Sequence, residues 1–91
     1  MKLSVVIPVY NEEATLGELL DMVATAPLPK SVGELEVVTV DDCSSDETWS
    51  ELETWQPSIR QDGRDVTIVR ERHPQNRGKG AALRTGFVAA S

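Results

Sequence analysis

Two kinds of apolar pattern alternate along the chain. Leu3 to Val9, LSVVIPV, and Val37 to Val40 within EVVTVDD are near-continuous β-branched runs, the kind that forms strands buried on both faces of a parallel sheet. Val66 to Val69, VTIV, is a third and shorter run. Between these runs the apolar residues change to helical spacing. Leu16, Leu19, Leu20 and Val23 mark one face, Trp49, Leu52 and Trp55 a second, and the small-residue segment Ala81 to Phe87 a third helix suited to close packing. The indoles are expected to be the buried face of their helix rather than a platform for a ligand.

Polar punctuation fits these boundaries. Pro8 lacks an amide donor and belongs where the first strand ends, and Asn11 reads as the following helix N-cap with Glu12 and Glu13 in its first turn. Pro27 to Gly33 is a loop, Ser44 and Glu47 have capping-box spacing, and Gln56 to Asp65 is a polar surface loop. Asn76 to Gly80 forms a glycine-flanked turn before the last helix.

Three strands alternating with three helices predict an α/β fold, a doubly wound parallel sheet in the order third, second, first, with residues 1–91 as one domain. The carboxyl ends of the strands then share one edge, where open α/β sheets bind ligands. Tyr10, Asn11, Glu12, Asp41, Asp42 and the Arg72 to Lys79 loop are expected along it. Carboxylates there can accept from sugar hydroxyls or ring N–H groups, and a lysine can neutralise phosphate. No GxGxxG follows the first strand and no GxxxxGK[ST] occurs, which argues against a dinucleotide oxidoreductase and a P-loop NTPase.

Composition narrows the picture further. The chain has 91 residues, 40% hydrophobic and 26% charged, enough for one modest core. Its net charge of -6 argues against sequence-independent nucleic-acid binding. Yet from Arg70 onward the sign reverses, with Arg70, Arg72, Arg77, Lys79 and Arg84 set against Glu71. Cys43 has no partner for a disulfide, the first apolar run is too short for a signal peptide, and no stretch is long enough to span a bilayer. A cytoplasmic chain is expected. Cys43 reads as a turn filler, Glu13 as a surface acid and His73 as a surface or loop-ordering residue, while the plain reading of Asp41 and Asp42 is a capped helix and a solvated strand end.

VVIPVYNEE, VVTVDDCSSDET and NRGKGAALRTGF, in this order and spacing, resemble the amino-terminal nucleotide-binding half of family 2 glycosyltransferases of the GT-A fold. The third motif is similar to the branch containing dolichol- and polyprenyl-phosphate mannosyl- and glucosyltransferases. The resemblance implies a three-layer α/β/α, Rossmann-like sheet. It also implies that Pro8, Tyr10 and Glu12 line a base and ribose pocket, that Asp41 binds the nucleobase with Asp42 beside it, and that Lys79 lies near the phosphates. Cys43 and Glu47 stand where that family often has glycine.

The family holds its divalent metal, Mg2+ or Mn2+, on an Asp-X-Asp motif, which this sequence lacks. The implied reading is an amino-terminal fragment of an inverting enzyme. It would bind the nucleotide of a GDP-mannose or UDP-glucose class donor, destined for an acceptor such as polyprenyl phosphate, with no metal and no turnover of its own. Two alternatives stand beside it. One is an inert α/β piece that forms a homodimer through the open edge of its first strand. The other is a flavodoxin-like module, which would need a phosphate loop not found after the first strand.

Overall fold

The computed structural model describes residues 1–90. In chain order its elements are β1 (Lys2–Val9), α1 (Leu16–Thr25), β2 (Glu34–Asp41), α2 (Thr48–Thr54), β3 (Asp65–Arg72) and α3 (Lys79–Ala89). β2 lies between β1 and β3 and runs parallel to both, so the Val37 strand is central as its apolar run implies. Val9 pairs with Asp41 and Asp41 with Arg72. All three strands therefore finish in one flush row.

Successive strand side chains point to opposite faces, and β2 serves two packing layers. Leu35 and Val37 join Val9, Leu16, Leu20 and Leu52 in one core, with Val5, Ile7, Ile68 and both indoles packed at its margin. α1 and α2 cover this face. Val38 and Val40 have no exposed surface and lie on the opposite face, where α3 packs across β1 and β2. Close approach there depends on Gly86: a Cβ at that position would sit 2.2 Å from Val6 Cγ1 and 3.4 Å from Val40 Cγ2.

The two tryptophans behave as packing residues. Trp55 Nε1–H donates to Asp21 at 2.9 Å, linking α2 to α1, and the Arg72 guanidinium lies 5.2 Å from the centre of the Trp49 ring. Among the described residues no helix is long and apolar enough to cross a membrane.

Helix starts differ from the sequence expectation. α1 begins at Leu16 behind a turn closed by Thr15 and Leu16 amides on the Glu12 carbonyl, and Thr15, not Asn11, is its N-cap. α2 begins at Thr48 with Glu47 as N-cap and no capping box, because the Ser44 hydroxyl is bound to Asp41 instead. β3 runs beyond Val66 to Val69 at both ends, and α3 begins at Lys79 rather than Ala81. At α1 and α2 another partner takes the side chain that the sequence offers as a cap.

The helix C-termini carry no basic residue in their last turns. Arginines distant in sequence satisfy the orphan carbonyls instead. Arg60 Nη1 donates to the Ala24 carbonyl at 2.7 Å, and Arg70 Nε donates to the Leu52 carbonyl at 2.7 Å while its Nη2 reaches that of Trp55. Arg64 donates to the carbonyls of Pro29 and Val32. Asp62 holds Arg60 through a two-pronged pair and also bonds the Arg64 amide.

Two predictions follow from this packing. Gly86→Ala should destabilise the fold by about 1–3 kcal/mol through overpacking, whereas Gly80→Ala, whose Cβ meets nothing nearer than Arg84 Nη1 at 3.8 Å, should be neutral or stabilising by up to about 1 kcal/mol. Urea denaturation of both variants checks the contrast, and equal midpoints would contradict it. Separately, hydrogen bonds from the Arg60 side chain and the Arg64 amide pull the Asp62 carboxyl down to about 2. An unfolded aspartate titrates near about 3.9, so this contribution is fully present at neutral pH and fades as pH falls from about 4 toward 2. Asp62→Asn should lower the melting temperature at pH 7 and flatten its decline over that acid window.

Candidate functional site

Adjacent residues of an extended chain face opposite ways, so Asp41 and Asp42 at the end of β2 serve different sides of the sheet edge. Asp41 is fully buried. Its carboxylate accepts the Ser44 amide at 3.2 Å and the Ser44 hydroxyl, and Arg72 Nε lies 3.4 Å away. The turn that brings Ser44 back needs Cys43 at φ 61, in the left-handed region. Glycine fits that region best, so Cys43 holds a conformation that disfavours a side chain. Cys43 Sγ–H points to the Pro74 carbonyl at 3.6 Å.

The corner is sewn to the turn after β1. Asn11, also left-handed at φ 50, accepts the Ser45 amide on its side-chain oxygen at 2.8 Å, and its own amide donates to Ser44 Oγ at 2.9 Å. The Glu12 amide donates to Thr48 Oγ1 at 2.7 Å, and that hydroxyl donates onward to Asp46. The Thr48 hydroxyl and amide hold the Asp46 carboxyl below its ordinary value.

Asp42 organises the other side. Oδ1 accepts the Arg77 amide at 2.8 Å and lies 2.8 Å from His73 Nδ1, while Oδ2 accepts the Gly78 amide at 2.8 Å. Burial by itself would raise the Asp42 carboxyl, but the Arg77 amide, the His73 ring and the Gly78 amide together hold it below its ordinary value. An ionised carboxylate only accepts, so Nδ1 of His73 is the donor. Gly78, at φ 88 and ψ 164, occupies backbone space open essentially to glycine, and it is the N-cap of α3.

A cleft of about 480 Å³ opens at this edge. Pro8, Tyr10 and Glu12 line one wall with Val9, Asp42 lies at the strand end, and Lys79 lines the other wall with Asn76, Gly78 and Ala82. Thus five of the residues expected at the edge, Pro8, Tyr10, Glu12, Asp42 and Lys79, meet around one cavity. Asp41 lies beneath it, spent on Ser44 and Arg72. His73 is not on the surface but only 5% exposed, wedged between Asp42 and Thr85. The loop-ordering half of its expectation describes what it does. Asn76 and Gly78 were visible in sequence as a glycine-flanked turn, but nothing local marks which of their groups face a cleft. Among the described residues no three His, Cys, Asp or Glu side chains converge to hold a metal ion.

Comparison with known proteins places this geometry. The model of the family described as glycosyl transferase family 2 matches residues 4–91. The poly(ribitol-phosphate) beta-N-acetylglucosaminyltransferase TarS of Staphylococcus aureus is 46% identical over 59 residues, 65% of this chain and 10% of that protein. The undecaprenyl-phosphate 4-deoxy-4-formamido-L-arabinose transferase of Pseudomonas fluorescens is 40% identical over 84 residues, 92% of this chain and 23% of that protein. The structure of S. aureus TarS 1–349 in complex with UDP-GlcNAc superposes with a TM-score of 0.75 at 33% identity, covering 100% of this chain and 24% of that one. The mannosyltransferase PcManGT from Pyrobaculum calidifontis, in complex with GDP-Man and Mn2+, gives a TM-score of 0.62 at 31% identity, covering 97% and 24%. The chain spans about a quarter or less of the length of these proteins. The sheet is the Rossmann-like amino-terminal part of a GT-A fold, as the sequence motifs imply. Because the family match runs through all three strands and all three helices, the chain belongs to glycosyl transferase family 2.

Proposed function

We propose that this chain is the donor-binding part of a hexosyltransferase and that its cleft takes the nucleotide of a uridine diphosphate sugar. The observation that carries the reading is the state of Asp42. A carboxylate has about four acceptor positions. Three are taken by His73, Arg77 and Gly78, and Asp42 still lines the cleft. One acceptor left toward a ligand matches uracil, whose edge offers a single ring N–H between two carbonyls. Guanine offers two adjacent donors and calls for both oxygens, while cytosine and adenine set beside their amino donor a ring nitrogen lone pair that a carboxylate repels.

The other walls suit the same ligand. Tyr10 is 47% exposed and offers a face for stacking a base. The Asn76 side chain can donate to a uracil carbonyl, Glu12 can accept from ribose hydroxyls, and Lys79, beside the amino end of α3, can neutralise phosphate. Asp41 would act from below by fixing the corner that carries Asp42. A relative solved with UDP-GlcNAc supports a uridine donor, and one solved with GDP-Man is the competing case.

In the whole enzyme the sugar would pass with inversion to an acceptor such as polyprenyl phosphate, a reading supported by the undecaprenyl-phosphate transferase relatives. A divalent ion, Mg2+ or Mn2+, would neutralise the donor diphosphate there. Among the described residues no centre for it is assembled. Their task is to bind and orient the nucleotide, and the chain alone should not turn over UDP-glucose or GDP-mannose.

Calorimetric titration tests the donor assignment. UDP should bind more tightly than GDP, CDP or ADP. Asp42→Asn should weaken UDP by about tenfold or more, and Lys79→Ala should weaken UDP while leaving uridine nearly unchanged. Preference for GDP, or an Asp42→Asn chain that binds normally, would overturn it.

A second reading is favoured by β1, which pairs only with β2 among the described residues and leaves its other edge unpaired. The chain would then form a homodimer through that edge. Sedimentation velocity should show mass rising with concentration, and a Ser4→Pro chain should remain monomeric. A wild-type monomer at every concentration would sink this reading.

A further inference from the structure

The buried His73 is not needed to line the cleft, yet both of its ring nitrogens are engaged. Nδ1 lies 2.8 Å from Asp42 Oδ1 and Nε2 lies 2.7 Å from Thr85 Oγ1. Its backbone amide donates to the Asp41 carbonyl at 2.9 Å, which fixes the ring's root to the end of β2. The ring thus connects three elements: the tip of β2 through Asp42, the end of β3 through its own backbone, and α3 through Thr85.

We infer that His73 is a positioning residue that sets the orientation of the Asp42 carboxylate and through it the shape of the Asn76 to Lys79 wall. The inference rests on the donor-site reading above for its effect on ligand binding. The reasoning is geometric. Asp42 can rotate about its side-chain torsions, and only one rotation presents Oδ1 to the Arg77 amide and Oδ2 to the Gly78 amide together. The two amides come from the very loop that the carboxylate orders, so they cannot fix it independently of that loop. His73 can, because its amide is fixed to β2 and its far nitrogen is fixed to the second turn of α3. In both the neutral Nδ1–H tautomer and the charged ring, Nδ1 carries the proton that Asp42 accepts. Thr85 answers either state, since a hydroxyl donates to a bare Nε2 or accepts from a protonated one. The carboxylate is therefore aimed before a ligand arrives, and the binding step is spared that ordering.

Three variants separate positioning from packing. His73→Ala removes the donor, His73→Asn restores an N–H close to the place of Nδ1 without the rest of the ring, and Thr85→Val keeps the shape of its side chain but removes the outer support. Amide hydrogen exchange at Arg77 and Gly78 is measured without nucleotide, with the Val38 amide as an internal control, and UDP affinity is measured by titration. His73→Ala should lose about tenfold or more in protection at Arg77 and Gly78 and about tenfold in UDP affinity, with Val38 unchanged. His73→Asn should recover both to within about threefold of the wild type, and Thr85→Val should fall between. Normal exchange in His73→Ala, or a His73→Asn chain no better than His73→Ala, would overturn the inference. If His73→Ala does not fold, Thr85→Val against the wild type decides it. If the wild type binds no UDP, the donor reading fails while the exchange at Arg77 and Gly78 still tells whether His73 aims Asp42.

Discussion

Two buried carboxylates at the end of one strand are the constraint on which this structure turns. Asp41 has no exposed surface and Asp42 is only 5% exposed, and charge removed from water must be met by donors or it costs several kcal/mol. Because neighbours on a strand face opposite ways, one loop cannot satisfy both. Asp41 draws in Ser44 and Arg72, and Asp42 draws in His73, Arg77 and Gly78. Through Ser44, Asn11 joins the first group, so all three strand ends and their following loops are bound into one rim. The cleft is the space left between loops that had to converge for electrostatic reasons.

The helix ends draw on arginines that, along the sequence, look available to an anionic ligand. Read from sequence, the segment from Arg70 onward looks like a positive surface for an anionic ligand. In the fold Arg70 is spent on the carbonyls ending α2, and Arg72 on Asp41 and the Trp49 ring. Arg60 and Arg64 serve carbonyls near the ends of α1 and its loop. Of the cations beside the cleft, Lys79 is the one that lines it. Charge along a sequence overstates charge available at a site when helices lack their own C-terminal partners.

Long-range organisation was legible where one cause dominates. β-branched runs became strands, helical spacing became helices, and the order of the sheet followed from right-handed parallel connections. Pro8, Tyr10, Glu12, Asp42 and Lys79 could be assigned to one edge because each lies within a few residues of a strand's carboxyl end or at the start of a helix. Much of what sequence did not reveal depended on partners more than thirty residues away, as for Asn11 with Ser44 and His73 with Asp42. Asn11 and Ser44 both look like caps, and both left that role for each other and for Asp41. The burial of His73 had no local sign, since its apolar neighbours are few and its partners are Asp42 and Thr85. The division of labour between Asp41 and Asp42 was hidden for the same reason, although strand alternation already implied that the pair would not act as one.

The contact at Gly86 gives α3 a mechanical character. The helix is pressed onto Val6 and Val40 near its carboxyl end, and Lys79 begins it about 10 Å away at 1.5 Å rise per residue. The amino end is tied as well, by the Gly78 amide on Asp42, so the helix is a strut clamped at both ends, whereas an unclamped tilt of roughly ten degrees about Gly86 would carry Lys79 through about 2 Å. That is comparable to the difference between a direct ion pair with phosphate and one bridged by water. The smallest side chain in the protein therefore sets, together with Asp42, how little Lys79 can shift at the edge of the cleft.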